Sequence, residues 1–427
     1  GYAVMHTSGQ GFMMAFQAGG PHAQDRGLEA VAYAYEAMTS APGVATWTKP
    51  QGKHDPLVLD KKFTVVGRGV GLVVGCSTFP TWNTYPGLFA SLVTGNPVVV
   101  KPHPAGILPA AISIKIAQEV LVENGLPAHL VSMVIDEDAT KPCTMELAQR
   151  DEIRLIDFTG NTWFGDWLEN NCPQAQVYTE KAGVNTIVID STDDFKGMVR
   201  NLSFTLSLYS GQMCTTPQDI FVPAGGIETD LGHKSFDEVA EAISTGVTKF
   251  LSDPERAAMV LGAIQAPVTA QRIEDSKGLG TVVRDSEPME NPWFKDARVH
   301  SPLIMTIDAD KEETYMEELF GPISFVIKTD STEQSIALAN KAVKNHGAIT
   351  MGCYSSSDDV LDQIEEASLD AGVALSCNLT GGVFVNQSAA FSDFHATGCN
   401  PAANACLSDL AYVANRFRVV QSRRHPK

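Results

Sequence analysis

What the chain lacks narrows it first. Its eight cysteines (Cys76, Cys143, Cys172, Cys214, Cys353, Cys377, Cys399 and Cys406) form no C-x-x-C pair and no zinc-finger spacing. Neither a disulfide scaffold nor a metal centre is therefore expected, and reduced thiols of this kind suit a cytoplasmic protein. Positive charge is scarce: 31 Lys and Arg stand against 50 Asp and Glu, a net charge of −19. Such a field opposes a phosphate backbone and argues against nucleic acid as a partner. No apolar run approaches the roughly 18–20 residues of a membrane span, and the start does not read as a signal peptide. The chain opens on Gly1, and its first stretch reads as the middle of something longer, so the natural N-terminal end is expected to lie outside it. What is present, 44% hydrophobic and 19% charged over 427 residues, is ordinary globular composition on the scale of two or three domains.

Apolar periodicity lays out the elements. Residues 26–39 repeat at helical spacing through Leu28, Val31, Ala32, Tyr35 and Met38, and a Gly/Pro-containing loop is expected to about Pro56. Strands follow at 63–66, 71–75 and 97–101, then an apolar helix from Ile107 to Asn124, stopped by Gly125 and Pro127. Further strands are expected at 130–135, 155–158, 176–180 and 185–190. Strands alternating with helices predict an α/β chain built on a mostly parallel, doubly wound sheet. After residue 217 the alternation restarts, as a second domain would, and 410–420 reads as a late strand able to pair with an earlier hairpin or another subunit.

Two stretches carry chemistry. Leu208-Tyr209-Ser210-Gly211-Gln212-Met213-Cys214 puts one thiol just after a Gly, beyond a helical run and shortly before Pro217. Such a junction can present a thiol to a cavity, although most free cysteines only fill space. Phe158-Thr159-Gly160-Asn161-Thr162-Trp163-Phe164-Gly165 passes from strand through Gly into helix, where a pyrophosphate could meet free N–H groups. The run Gly67-Arg68-Gly69-Val70-Gly71 precedes a strand instead of following one, so it is not a phosphate loop.

Taken in order, Lys101-Pro102, the 158–165 stretch, Thr179-Glu180-Lys181-Ala182-Gly183-Val184-Asn185, Gly211-Gln212-Met213-Cys214 and Glu317-Glu318-Leu319-Phe320-Gly321-Pro322 resemble the aldehyde dehydrogenase superfamily over residues 57–420. Phe79-Pro80-Thr81-Trp82, Lys101-Pro102-His103-Pro104 and Thr179-Glu180-Lys181-Ala182 look most like its phenylacetate-degradation branch, where ring-opened aldehydes are oxidised. The resemblance implies an altered Rossmann cofactor domain over 1–180 with a bridging hairpin near 57–70. It further implies an α/β catalytic domain over 181–385, and a return to the first domain with a small oligomerisation β-element over 386–427. It makes Cys214 the nucleophile and Glu180 the base that activates water for thioester hydrolysis. A free thiol with pKa near ~8.5 needs such company to attack at neutral pH. Lys101, Gly160 and Trp163 would serve the adenosine and pyrophosphate, Glu318 the nicotinamide ribose, and Phe320 the nicotinamide. The implied partners are a small-molecule aldehyde and further copies of the chain, as a homodimer or larger homo-oligomer.

The sequence departs from the family pattern at the oxyanion donor. Aligning Phe79-Pro80 with the family Phe-Pro needs no deletion and puts Thr78 where Asn is usual; aligning Trp82-Asn83 restores Asn83 but shortens the next helix by about a turn. Thr78 is preferred, with Asn83 as the alternative. Pro104 stands three after Lys101 where NAD-preferring members often carry Glu, so the cofactor is NADP or NAD with a lean to NADP, and a protonated His103 would assist. Phe394 and His395 fall where the family lines its substrate mouth. The leading expectation is oxidation of an aldehyde to its acid; a CoA-acylating enzyme and a catalytically silent cofactor-binding or assembly protein are the alternatives.

Overall fold

In the computed structural model, which describes residues 1–136, 142–181, 183–387 and 389–426, the valine-rich runs become strands shielded on both faces. Val131–Met133, Val98–Lys101, Val70–Val74, Ile153–Thr159 and Gln176–Glu180 lie side by side in that order, every neighbouring pair parallel. β-branched residues suit a sheet covered by helices on both sides. The earliest strand, Val70–Val74, is central: the next two are laid on one side of it and the last two on the other. Ligands bind beyond the carboxyl ends of such a sheet, where the order reverses. Lys101 and Glu180 end two of these strands, and Gly160 follows a third.

A second sheet runs Thr281–Arg284, Leu303–Asp308, Ile323–Thr329, Pro217–Pro223, Asn185–Ile189, Thr350–Tyr354 and Ala374–Cys377, parallel except for the first strand. Alternate residues supply separate cores: Val188, Phe221, Met305 and Phe325 pack on one face, Ile189, Ile220, Ile304 and Val326 on the other. This period of two is what strand geometry imposes. The chain passes from the first sheet to the second at residues 181–184. Ala182, in the motif around Glu180, lies outside the described residues. Because Cys214 and Glu318 precede strands of the second sheet, its amino edge faces the carboxyl edge of the first. The expected parallel α/β architecture is present.

A third sheet corrects the reading of the chain start and tail. Residues 40–56, expected as loop, include the strand Val44–Gln51, which turns at Gly52 (φ 65°) into His54–Gly67. The hairpin supplies the cross-strand hydrogen bonds that local sequence could not reveal. The tail strand pairs with that hairpin, but it spans Phe417–Arg424. Leu410–Ala414 is instead a helix whose Asp409 cap accepts from the Tyr412 N–H at 2.8 Å.

Two apolar surfaces also differ from expectation. The helix Pro21–Thr39 buries Ala23, Arg26, Gly27, Ala30 and Ala34, leaving Leu28 60% and Tyr35 69% exposed. Its small residues allow close approach to the helix Tyr85–Val93: a methyl group on Gly27 would sit 2.7 Å from the Phe89 ring. Pro104–Glu123 reaches 20 residues at a mean hydropathy of 1.5, long and apolar enough to cross a membrane by length and composition. The expectation that no such run exists is corrected. Here it covers the first sheet through residues such as Ile114 and exposes Leu108, Ile112 and Ile116.

Candidate active site

The loop that presents Cys214 is held in a costly conformation. The helix Phe195–Ser207 stops seven residues short of the thiol, and Tyr209 (φ 55°), Ser210 (φ 50°) and Gly211 (φ 65°) then follow in left-handed geometry. For the two non-glycine residues this costs of order 1–3 kcal/mol each and persists only where neighbours over-determine it. They do so here. Tyr209 Oη donates to the Ser8 carbonyl at 2.6 Å, Ser210 Oγ to the Gly262 and His300 carbonyls at 2.9 and 3.0 Å, and Gln212 Nε2 to the Ala263 carbonyl at 3.2 Å. Gly211 lies so close to the Gly321 backbone that a Cβ would collide with it. Asn185 completes the clamp: its amide donates to the carbonyls of Cys214 (2.7 Å) and Thr216 (3.1 Å), while its oxygen accepts from the N–H groups of Ile349 and Thr350. Asn185 stood inside a motif read for another residue, and no sequence signal announced this role.

Cys214 and Glu180 come together, and His395 joins them. His395 Nε2 is 3.6 Å from Cys214 Sγ and 3.1 Å from both carboxylate oxygens of Glu180, with the geometry of a hydrogen bond to Oε1. Burial pushes the Cys214 thiol well above its ordinary range, and the neighbouring Glu180 charge adds to the shift. The thiol is therefore protonated at neutral pH. The sequence put His395 at the substrate mouth beside Phe394; the fold keeps Phe394 on the surface and turns His395 inward. Its N–H donates to Ser408 Oγ at 3.1 Å, and its ring meets Trp82 edge-on with centroids 4.5 Å apart. The same tail segment braces the Glu180 strand: Asn404 Oδ1 accepts from the Thr179 N–H at 2.8 Å, and the Lys181 N–H donates to the Ala402 carbonyl at 2.6 Å.

Both candidates for the oxyanion donor reach Cys76. Asn83 Nδ2 lies 3.2 Å from Cys76 Sγ and Thr78 Oγ1 lies 3.8 Å from it, and Cys76 in turn contributes to the electrostatic surroundings of Cys214. Asn83 is buried with its Oδ1 unpartnered. Thr78 is used through its backbone, its carbonyl accepting from Gln10 Nε2 at 2.7 Å and Tyr209 Oη at 3.3 Å.

A cavity lined by Gly183, Met213, Thr216, Gln218, Glu318 and Phe320 opens beside this cluster. Gln218 shapes it, its Nε2 donating to the Tyr315 and Glu317 carbonyls and its Oε1 accepting from the Leu319 N–H at 2.6 Å. Glu318 is thereby framed on both sides. Burial raises its carboxyl to about 7, against a single 3.3 Å hydrogen bond from the Gly183 N–H. The Thr216 hydroxyl is buried without a partner. Phe320 is held through its carbonyl, which accepts from Arg272 at 2.6 Å.

The adenosine-side candidates are less free than the sequence implied. Lys101 is buried, paired with Asp136 at 2.7 Å. The Gly160 N–H donates to the Glu180 carbonyl at 3.0 Å, so that amide is already used. Asn161 caps the following helix, Thr162–Asn171, accepting from the Phe164 N–H at 2.9 Å, and Trp163 is exposed beside it. His103 accepts from the Ala105 N–H at 3.1 Å, and burial together with Lys101 lowers its pKa.

Comparison with known proteins gives three results. A profile described as "Aldehyde dehydrogenase family" matches residues 13–378. The crystal structure of an NAD-dependent aldehyde dehydrogenase from Burkholderia multivorans superposes with a TM-score of 0.98 at 59% identity, covering 100% of this chain and 77% of that one. An N-succinylglutamate 5-semialdehyde dehydrogenase from the same species is 27% identical over 278 residues, 64% of this chain and 54% of its own length. The chain thus spans about half the length of the curated relatives it matches.

Proposed function

Because the chain belongs to the aldehyde dehydrogenase family, we propose that it oxidises an aldehyde to its carboxylic acid through a covalent adduct on Cys214. The observation that carries this reading is the meeting of buried Glu180 with half-buried Cys214 and His395 in one cluster beside the Glu318 cavity. A protonated thiol must lose its proton before it attacks. His395 Nε2, 3.6 Å away, can take it once it has given up its hydrogen bond to Glu180 and the ring carries its proton on Nδ1. Attack on the carbonyl carbon then leaves an oxyanion, for which Asn83 supplies the donor. Its side chain has only a weak thiol acceptor and an unpartnered oxygen to lose on turning. Once the adduct has been oxidised to a thioester on Cys214, Glu180 draws a proton from water, and the resulting hydroxide releases the acid.

Bound NAD or NADP supplies the hydride acceptor. The cavity fits its nicotinamide end, because the Glu318 carboxylate and the Thr216 hydroxyl have hydrogen-bonding capacity to spare. We assign a preference for NAD. Asp136 sets a carboxylate against Lys101, which disfavours a 2′-phosphate. This reverses the lean drawn from Pro104. The substrate proposed is a semialdehyde. A ring-opened product of aromatic (phenylacetate) catabolism is favoured by the branch-like motifs, and an amino-acid-derived one by the names of the curated relatives.

The test is cofactor reduction by the purified protein over aliphatic, aromatic and CoA-linked semialdehydes, with NAD and NADP, with and without free CoA. Reduction with release of a carboxylic acid is expected, at a higher kcat/KM for NAD. A product that needs CoA would overturn the hydrolytic assignment, and a marked preference for NADP would overturn the role given to Asp136.

A further inference from the structure

We propose that Cys214, Glu180 and His395 form a zinc site, so that this thiophilic divalent cation reversibly silences the aldehyde chemistry assigned to the same groups. The donor set comes from three distant parts of the chain: a sulfur, an imidazole nitrogen and a carboxylate, all within 4.8 Å of one another. These are the ligand types of zinc, and three protein ligands with one position left for water is the pattern of open zinc sites. Two of the three spacings also agree, and the third, between sulfur and carboxylate, lies within 4.8 Å. With Zn–S near ~2.3 Å and Zn–N and Zn–O near ~2.0–2.1 Å, a tetrahedral ion separates sulfur from nitrogen by ~3.6 Å and nitrogen from oxygen by ~3.3 Å. Here the separations are 3.6 Å from Sγ to Nε2 and 3.1 Å from Nε2 to Oε1.

The donors are held in place before any ion arrives. Asn185 pins the Cys214 carbonyl, Asn404 and the Ala402 carbonyl brace the backbone on either side of Glu180, and Ser408 with the Trp82 ring orients His395. Binding balances without redox change. The Sγ–H bond breaks, an Sγ–Zn bond forms, the proton leaves to solvent, and the Nε2 lone pair and one Glu180 oxygen complete the protein ligands. The ion then occupies the nucleophile and the water-activating carboxylate together. Magnesium and calcium, which prefer all-oxygen shells, should not compete.

The inhibitory consequence rests on the function proposed above; the site itself does not, and the experiment separates them. The full chain, freed of metal by a chelator and carrying Cys399→Ser to remove the exposed thiol, is titrated with Zn2+ against a chromophoric competitor and, separately, with Co2+. One equivalent of zinc should bind. Cobalt should give a thiolate charge-transfer band with intense tetrahedral visible bands, and His395→Ala should weaken zinc binding more than tenfold. His395→Asn serves if the alanine variant does not fold. Sub-stoichiometric binding, a cobalt spectrum without the thiolate band, or equal zinc affinity in the His395 variants would each overturn the site. Aldehyde oxidation that continues with one zinc bound would overturn the silencing. A protein that binds zinc as described but oxidises no aldehyde would keep the site and sink the functional reading.

Discussion

Two polar clusters, both completed by the C-terminal segment, are built to opposite ends. In one, Arg416 is fully buried and gives its guanidinium to Asp157 at 2.5 and 2.8 Å and to Ser91 Oγ at 2.8 Å, while Tyr412 Oη donates to the same carboxylate at 2.5 Å. The Tyr178 and Tyr412 rings lie 4.4 and 4.2 Å from the guanidinium carbon. The charge of Asp157 raises the Arg416 pKa against the effect of burial. In the other, Cys214, Glu180 and His395 share one imidazole nitrogen among them, and Glu180 Oε2, Asn83 Oδ1 and Thr216 Oγ1 have no hydrogen bond among the described residues. A polar group left unpaired in a protein interior costs roughly 1–3 kcal/mol. The first cluster spends its capacity on holding the tail to the first sheet; the second keeps capacity for something that must arrive. The charges of the first cluster are paired, although Tyr178 Oη keeps no partner among the described residues.

The comparison predicts opposite outcomes for mutation. The largest effect belongs to Cys214→Ala: aldehyde-dependent cofactor reduction should fall by roughly 10⁴-fold or more, about 5.5 kcal/mol of lost transition-state stabilisation, while the melting temperature holds. Residual turnover near wild type would remove Cys214 from its role. Next comes Arg416→Met, which strands Asp157 in the interior and should cost about 3–5 kcal/mol in urea unfolding, with kcat per folded molecule preserved. A loss of kcat without loss of stability would erase the distinction between the clusters.

Asn83→Ala against Thr78→Val sharpens the second cluster. The first should lower kcat by ~10²-fold, about 3 kcal/mol, and the second should barely change it. The reverse result would return the oxyanion to Thr78. The smallest effect is the pH response of Glu318. Folding raises this carboxyl from 4.5 to about 7, so its protonated form is the one the fold favours. Its contribution is fully present below the unfolded value and is lost as pH rises through about 7. Between about pH 5 and pH 8 the wild type should therefore lose stability relative to Glu318→Gln, on the order of 1–2 kcal/mol after allowance for solvent at the cavity mouth. Parallel unfolding curves for the two proteins across that range would contradict the burial argument.

Much of this fold was legible along the chain, and the failures have local causes. The strands Gln176–Glu180 and Ile323–Thr329 stand out because their residues are apolar or β-branched and end at Gly, Pro or charge. Cys214, Glu180 and Glu318 could be singled out because each sits in a short motif of fixed type. The helix Pro21–Thr39 was legible as a helix but not in its orientation. Hydrophobic periodicity runs through Leu28 and Tyr35, whereas close approach to the next helix buries glycine and alanine. The strand Val44–Gln51 has little pattern of its own and exists through its partner.

By itself the sequence determined the parallel α/β layout and singled out the thiol and the two glutamates as candidates, because periodicity and short motifs are properties of neighbouring residues. Only the tertiary structure decided which charges were already taken and what stood beside the thiol. Lys101 is claimed by Asp136, the Gly160 amide by Glu180, and His395 is brought inward across 181 positions to Cys214 and 215 to Glu180. No local pattern encodes such a meeting: the ordering cost of closing so long a loop is met by packing throughout the domain, not by the residues that finally touch.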